Sequence, residues 1–184
     1  YSYTEDVSFD QNQFYFIPRA SIRRQFKNRG SIDLDYYAYV QQPSIDQLLP
    51  ITDNKDPLYQ QRGNPDLKPS LRGTTSLGYD YYDPKSDNNI WIGINYESVK
   101  NDIASITSYD EQLRQLTNYT NVQGNDNWSN YFGVGKSKKK KDYHWRIQLE
   151  SNATIANNHA FVNTLPYPSR TYSLYARPIV TYDY

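Results

Sequence analysis

The chain of 184 residues balances 20 Lys and Arg against 20 Asp and Glu and contains neither cysteine nor methionine. Zero formal net charge leaves no global field to attract nucleic acid, and the lack of thiols excludes a disulfide framework and any thiolate metal site. Mean hydropathy is −0.91, and no apolar run reaches the ~20 residues of a membrane helix. A membrane barrel stays open, because its strands show lipid only at every second residue.

Tyr1–Asp10 has neither the basic nor the apolar region of a secretion signal. With no Met at position 1, the chain is expected to be processed or cut from a longer one. The first strand is predicted over roughly 14–26 and the second over 31–41, where Ile32, Leu34, Tyr36, Ala38 and Val40 alternate with Ser31, Asp33, Asp35, Tyr37 and Tyr39. A connection over about 42–71 follows, with one turn of helix expected at Asp46-Gln47-Leu48-Leu49. It ends in Gly63-Asn64-Pro65-Asp66-Leu67-Lys68-Pro69-Ser70. Two prolines stiffen that segment, and Gly63 is free to take positive φ.

Strands are then predicted at 72–82 and 89–105, the second carrying Ile90, Ile92, Ile94 and Tyr96 against Trp91, Gly93, Asn95 and Glu97. A loop over 106–117 has a short helix expected at Asp110–Leu116. Further strands are predicted at 118–136 and 143–155, and Tyr143, Trp145, Ile147 and Leu149 alternate strictly with His144, Arg146, Gln148 and Glu150. A loop over 156–168 precedes the last strand, 169–184, which Pro178 interrupts. The expected fold is therefore all-β, an antiparallel up-and-down meander of about seven strands. Its short links at Lys27–Gly30, Asp83–Asn89 and Ser137–Asp142 share one end, and its long loops share the other, as in an outer-membrane barrel. Aromatic residues beside those links (Phe26, Tyr79, Tyr81, Tyr82, Trp91, Tyr143, Trp145, Tyr182 and Tyr184) are expected to form one interfacial girdle.

The segment GNPDLKPS resembles the GNPxLKPE signature of TonB-dependent outer-membrane receptors, in particular their Bacteroidota-type outer-membrane β-barrel family. Gly63, Asn64, Pro65, Leu67, Lys68 and Pro69 match, and Ser70 replaces the usual Glu. Gln42-Pro43-Ser44 with Leu48-Leu49-Pro50 is similar to that family's Arg-Pro…Leu-Asn-Pro stretch. Thr120-Asn121-Val122 followed by Tyr131-Phe132-Gly133-Val134 is similar to its N…YG passage. The resemblance implies a 22-strand barrel with an N-terminal plug that engages TonB. On that basis residues 1–184 are expected to be a C-terminal-side part of the barrel, without the plug. The implied partners are outer-membrane lipid, the remainder of the barrel and plug, TonB through the missing N-terminal part, and an unknown nutrient ligand. The implied location is the outer membrane of a Gram-negative bacterium.

No catalytic, cofactor-binding or metal-binding residue is expected, and no enzymatic activity. His144 and His159 fit no metal-ligand spacing. Asp53-Asn54-Lys55-Asp56 and Gly124-Asn125-Asp126-Asn127 lack the EF-hand pattern and read as solvated loops. Lys136 and Lys138–Lys141 read as a solvated turn, with anionic headgroups as the intermediate option and nucleic acid set aside. Three Asn-x-Ser/Thr triplets, at Asn118, Asn127 and Asn152, are expected to be idle. A lumen is expected to receive Arg19, Arg23, Asp33, Asp35, Glu97, Arg146, Gln148, Glu150 and Arg177. Nutrient uptake is the expected function. The alternative is a soluble β-rich module that binds carbohydrate or another ligand through tyrosine platforms.

Overall fold

The computed structural model describes residues 14–27 and 29–184, apart from the side chains of residues 53–55. Strand β1 (Arg19–Gln25) turns at Phe26 into β2 (Gly30–Gln41). Phe26 N–H donates to the Gly30 carbonyl at 2.7 Å, and Arg29 takes φ 69°. Helix α1 (Ile45–Leu48) is a single turn closed by a capping box. Ser44 Oγ accepts from Gln47 N–H at 3.3 Å, and Gln47 Oε1 accepts from Ser44 N–H at 3.0 Å. Strands β3 (Thr52–Asp56) and β4 (Tyr59–Arg62) precede β5 (Ser70–Asp83) and β6 (Asn88–Lys100). Next come β7 (Asp102–Tyr109), β8 (Gln115–Val122), β9 (Asn125–Lys139), β10 (His144–Val162) and β11 (Leu165–Asp183).

Seven of these strands form one sheet in the order β1-β2-β5-β6-β9-β10-β11, and every neighbouring pair is antiparallel. This is the predicted meander. The sheet is not closed: among the described residues β1 and β11 are its edges. Its turns after β1, β5 and β9 lie at one end, and the two-residue turn after β10 lies at the other. At the other end the two excursions between β2 and β5 and between β6 and β9 fold together into a second sheet, β3-β4-β8-β7, called the cap below. The cap contains a parallel pair, Tyr59–Gln61 beside Gln115–Thr117.

Three expectations about the connections are corrected. Segments 42–71 and 106–117 are not irregular loops, since they supply β3, β4 and most of the β7–β8 hairpin. Asp110–Leu116 is not helical. The Asp110 carboxylate closes a hairpin turn by accepting from Gln112 N–H and Arg114 N–H, each at 2.9 Å, and from Arg114 Nε at 2.6 Å. Those donors hold its pKa below the ordinary carboxylate value. Segment 156–168 is not a loop either. β10 and β11 continue through it in unbroken register to a two-residue turn at Asn163-Thr164, where Asn163 has φ 55°.

Two predicted strands are also divided. Residues 89–105 break at Asn101 and residues 118–136 break at Gln123-Gly124, so each strand changes sheet there. Asp53–Asp56 lies in β3, and Asn125–Asn127 opens β9; neither is the predicted loop. Pro178 does not end β11. Pro166, Pro168 and Pro178 share the same parity, so their missing N–H groups all face the edge away from β10.

The register sorts the large sheet into two faces. One carries Ile22, Leu34, Leu77, Ile94, Ala153 and Leu174 in a single cross-strand row, broken only by Asn130. Another row of that face holds Tyr81, Ile90, Val134, Leu149 and Pro178. This face is not covered: Leu174 is 80 % exposed, and Val180, which also lies on it, 72 %. Among the described residues the buried apolar side chains are Leu67, Pro69 and Val99. Total exposed area is 13765 Å², whereas a compact monomer of this length exposes about 9,000 Å². Among the described residues the sheet encloses no core of its own, and its apolar face is left open.

Candidate functional site

The opposite face of the sheet is polar. Arg19, Arg23, Asp33, Asp35, Glu97, Arg146, Gln148, Glu150 and Arg177 all lie on it, as the alternation predicted. Many of its charges are paired. Arg177 donates to Glu150 Oε2 at 2.5 Å, and Gln148 donates to Glu150 Oε1 at 2.6 Å. Arg72 bridges Glu97 at 2.9 Å and Asp102 at 3.1 Å. His144 stands on this face 3.7 Å from Asp183, and His159 belongs to the upper part of β10, where its N–H donates to Asn125 Oδ1. Among the described residues no three His, Cys, Asp or Glu side chains gather as a metal site.

Glycines on the polar face make room for large side chains of the adjacent strand. A Cβ on Gly133 would fall 1.9 Å from the Trp91 ring, and one on Gly93 would fall 2.0 Å from the Tyr131 ring. The rings therefore lie close over bare backbone. Trp91 and Tyr82 are accordingly on the polar face and not in the predicted girdle. Tyr79, Tyr81, Trp145 and Tyr182 are on the apolar face, as expected of that girdle. Sequence reading missed a second aromatic group on the same face nearer the cap, made by Tyr96, Trp128 and Tyr172. The Tyr96 and Trp128 rings are 4.2 Å apart. On β11 ten residues separate Tyr172 from Tyr182, and only Leu174, Ala176, Pro178 and Val180 face the same way between them. For a strand tilted as in a barrel this spacing is about 25 Å, the height of the apolar band.

At the short-turn end one charge cluster ties three strands together. Asp87 Oδ2 accepts from Arg146 at 2.6 Å and Ser137 Oγ at 2.8 Å, and Asp87 Oδ1 accepts from Tyr82 OH at 3.2 Å. The Arg146 hydrogen bond, helped by Ser137, holds the Asp87 carboxyl down to about 2. A depressed carboxylate pKa stabilises above the ordinary value of 3.8 and loses that contribution as pH falls from there through about 2. Thermal stability is therefore expected to fall across this acid window and not between pH 5 and 8. In Asp87→Asn the acid-dependent part is expected to shrink, at the expense of stability at neutral pH.

The signature segment is the joint between sheet and cap. Leu67 is 1 % exposed, Ser70 1 %, and Pro69 is equally enclosed. Gly63 N–H donates to the Leu49 carbonyl at 2.9 Å and Asn64 N–H to the Gln47 carbonyl at 2.6 Å, which fastens α1 to the segment. Asn64 Nδ2 reaches the Tyr119 carbonyl at 3.0 Å in β8, while Asn64 Oδ1 accepts from Asp66 N–H at 2.9 Å. Pro65 follows Asn64 and sets the turn that buries Leu67.

Asn121, from the end of β8, completes the joint. Its Oδ1 accepts from Lys68 N–H at 2.8 Å, and its Nδ2 donates to the carbonyls of Lys68 and Asn101, each at 2.8 Å. Asn101 has φ 54°, a left-handed conformation that Asn tolerates better than most residues. It is held there by Ser70 Oγ on its carbonyl at 2.9 Å and by Gln123 on its N–H at 3.1 Å. Three passages between sheet and cap thus meet at one hydrogen-bonded node: into β5, from β6 to β7, and from β8 to β9. Of these partners Asn121 stood in a motif-like passage, whereas Asn101 and Gln123 carried no signal in sequence.

Gly63 does not use positive φ, contrary to the sequence reading. Its need is space: a Cβ would lie 2.4 Å from the Leu49 carbonyl oxygen and 2.8 Å from that of Asp46. Gly63→Ala is expected to cost about 1–3 kcal/mol by overpacking against backbone. Faster protease cleavage within residues 42–62 would report it, with β10–β11 unaffected.

The family model described as the outer membrane protein beta-barrel family matches residues 1–177. Among solved structures the chain resembles the siderophore receptor PirA from Pseudomonas aeruginosa, with a TM-score of 0.56 at 12 % identity. The match covers 90 % of this chain and 35 % of that one, so the chain spans about a third of that receptor's length. No curated protein matches the chain in sequence. Strand order, a two-faced sheet, short turns opposite folded excursions and the family match agree: the chain belongs to the outer membrane protein β-barrel family, and its place is the outer membrane of a Gram-negative bacterium.

Proposed function

We propose that the chain is part of the wall and external cap of a TonB-dependent receptor that imports a nutrient too large for porins. The observation that carries this reading is the joint. The excursions between β2 and β5 and between β6 and β9 are locked to the wall through Gly63–Ser70, Asn101 and Asn121. A cap fixed in this way suits ligand capture above a gated lumen. The paired charges of the polar face suit contact with a plug domain supplied elsewhere in the protein. The GNPDLKPS segment supports a receptor of the Bacteroidota type. The residues that would carry this function bind and position, and we assign them no chemical step.

Deletion of the gene, compared with loss of TonB, tests the reading. Growth on a panel of iron-chelate, cobalamin and glycan sources should show one nutrient on which both strains fail alike. Normal growth of the deletion strain on every source that requires TonB would contradict it.

A further inference from the structure

We propose that Lys136, Lys138 and Lys140, with the rings of Trp145 and Tyr143, bind the headgroup phosphate of an anionic glycerophospholipid in the membrane leaflet at the short-turn end. Lys136 and Lys138 lie on the apolar face of β9, opposite Ile147 and Trp145 of β10, and both are exposed. A lysine placed there extends its ammonium along the wall to the interface, with its alkyl stem on apolar neighbours. Lys140, in the following turn, stands 5.7 Å over the Tyr143 ring, which stacks on Tyr182 at 6.4 Å. The site thus joins three cations to the aromatic rings that mark headgroup level.

Three of the nearby acids are already engaged, and Asp142, in the same turn, forms no ion pair with these lysines. Asp83 pairs with Arg29, Asp87 with Arg146, and Asp183 lies against His144. Among the described residues no acid comes within ion-pair distance of Lys136, Lys138 or Lys140. Unneutralised cations bordering lipid recruit anionic headgroups, whereas nucleic acid has no access to a surface that faces the bilayer. The inference rests on the barrel's place in the membrane and not on nutrient uptake.

The test uses the whole protein in nanodiscs of phosphatidylcholine with or without phosphatidylglycerol, followed by native mass spectrometry of retained lipid. Wild type should keep phosphatidylglycerol in preference to phosphatidylcholine, and high salt should reduce the preference. Lys136→Gln/Lys138→Gln should weaken retention by roughly tenfold or more, while Lys139→Gln, on the polar face, should leave it unchanged. Thermal unfolding in phosphatidylcholine alone reports whether the double variant folds, and the wild-type preference decides the matter if it does not. No preference in wild type, equal retention in the folded double variant, or displacement by inorganic phosphate would each overturn the proposal.

Discussion

Asn121→Leu is expected to release the cap from the wall while leaving the seven-stranded sheet assembled. One side chain supplies three hydrogen bonds, all at 2.8 Å, to the backbone of Lys68 and Asn101. Leucine is close in size but satisfies none of them. The Lys68 N–H and the two carbonyls then lose partners in a region where Leu67 and Ser70 are sealed from water. Unmet groups of this kind cost about 1–3 kcal/mol each, and partial access to water lowers the sum to roughly 2–4 kcal/mol. Asn101 would lose one restraint on its left-handed backbone in the same step. Limited proteolysis should cut residues 42–69 and 101–124 quickly in the variant, and hydrogen exchange in β7 and β8 should rise. Exchange in β10 should stay slow. Unchanged protection throughout the cap would show that the node carries little of its stability.

Leu149→Lys is expected to destabilise the folded barrel by about 2–4 kcal/mol, and Trp145→Lys by about 0–1 kcal/mol. Both side chains point to the apolar face of β10. They differ in depth, because Trp145 starts the strand beside the short turn and Leu149 lies nearer the middle of the apolar band. A charge at mid-depth must leave water or distort the bilayer, while one at the interface reaches headgroups. Urea unfolding in lipid vesicles measures the pair. Equal costs at the two positions would mean that they see the same solvent, and depth would then explain nothing.

The strands were legible because alternation is a local pattern with a single physical cause. In β10 the residues from His144 to Glu150 announce their faces one by one, and the register keeps each of those assignments. Strand ends were less legible. The alternation runs on through Asn101, so the chain reads as continuous where it changes sheet, and only a left-handed backbone marks the corner. At 156–168 the reverse happened. Asn157-Asn158-His159 and two prolines look like a loop, yet β10 pairs without a break, because the prolines keep to one parity on an edge strand. The cap was illegible for a different reason: the β3–β4 and β7–β8 hairpins are joined by pairing between distant segments, and β4 meets β8 across more than fifty residues. The signature was legible as a stiff segment. Its buried leucine and its asparagine partners belong to tertiary structure, which no window of eight residues contains.

The central physical assertion is that two sides of one sheet face two solvents. With no cysteine in the chain, single cysteines placed from Trp145 to Ile155 and spin-labelled in a bilayer read it directly. Collision with oxygen, which partitions into lipid, should peak at 147, 149, 151, 153 and 155. Collision with a water-soluble nickel chelate should be lowest at those same positions. Two profiles rising and falling together, or no period of two in the oxygen profile, would contradict the assignment of these faces to lipid and water.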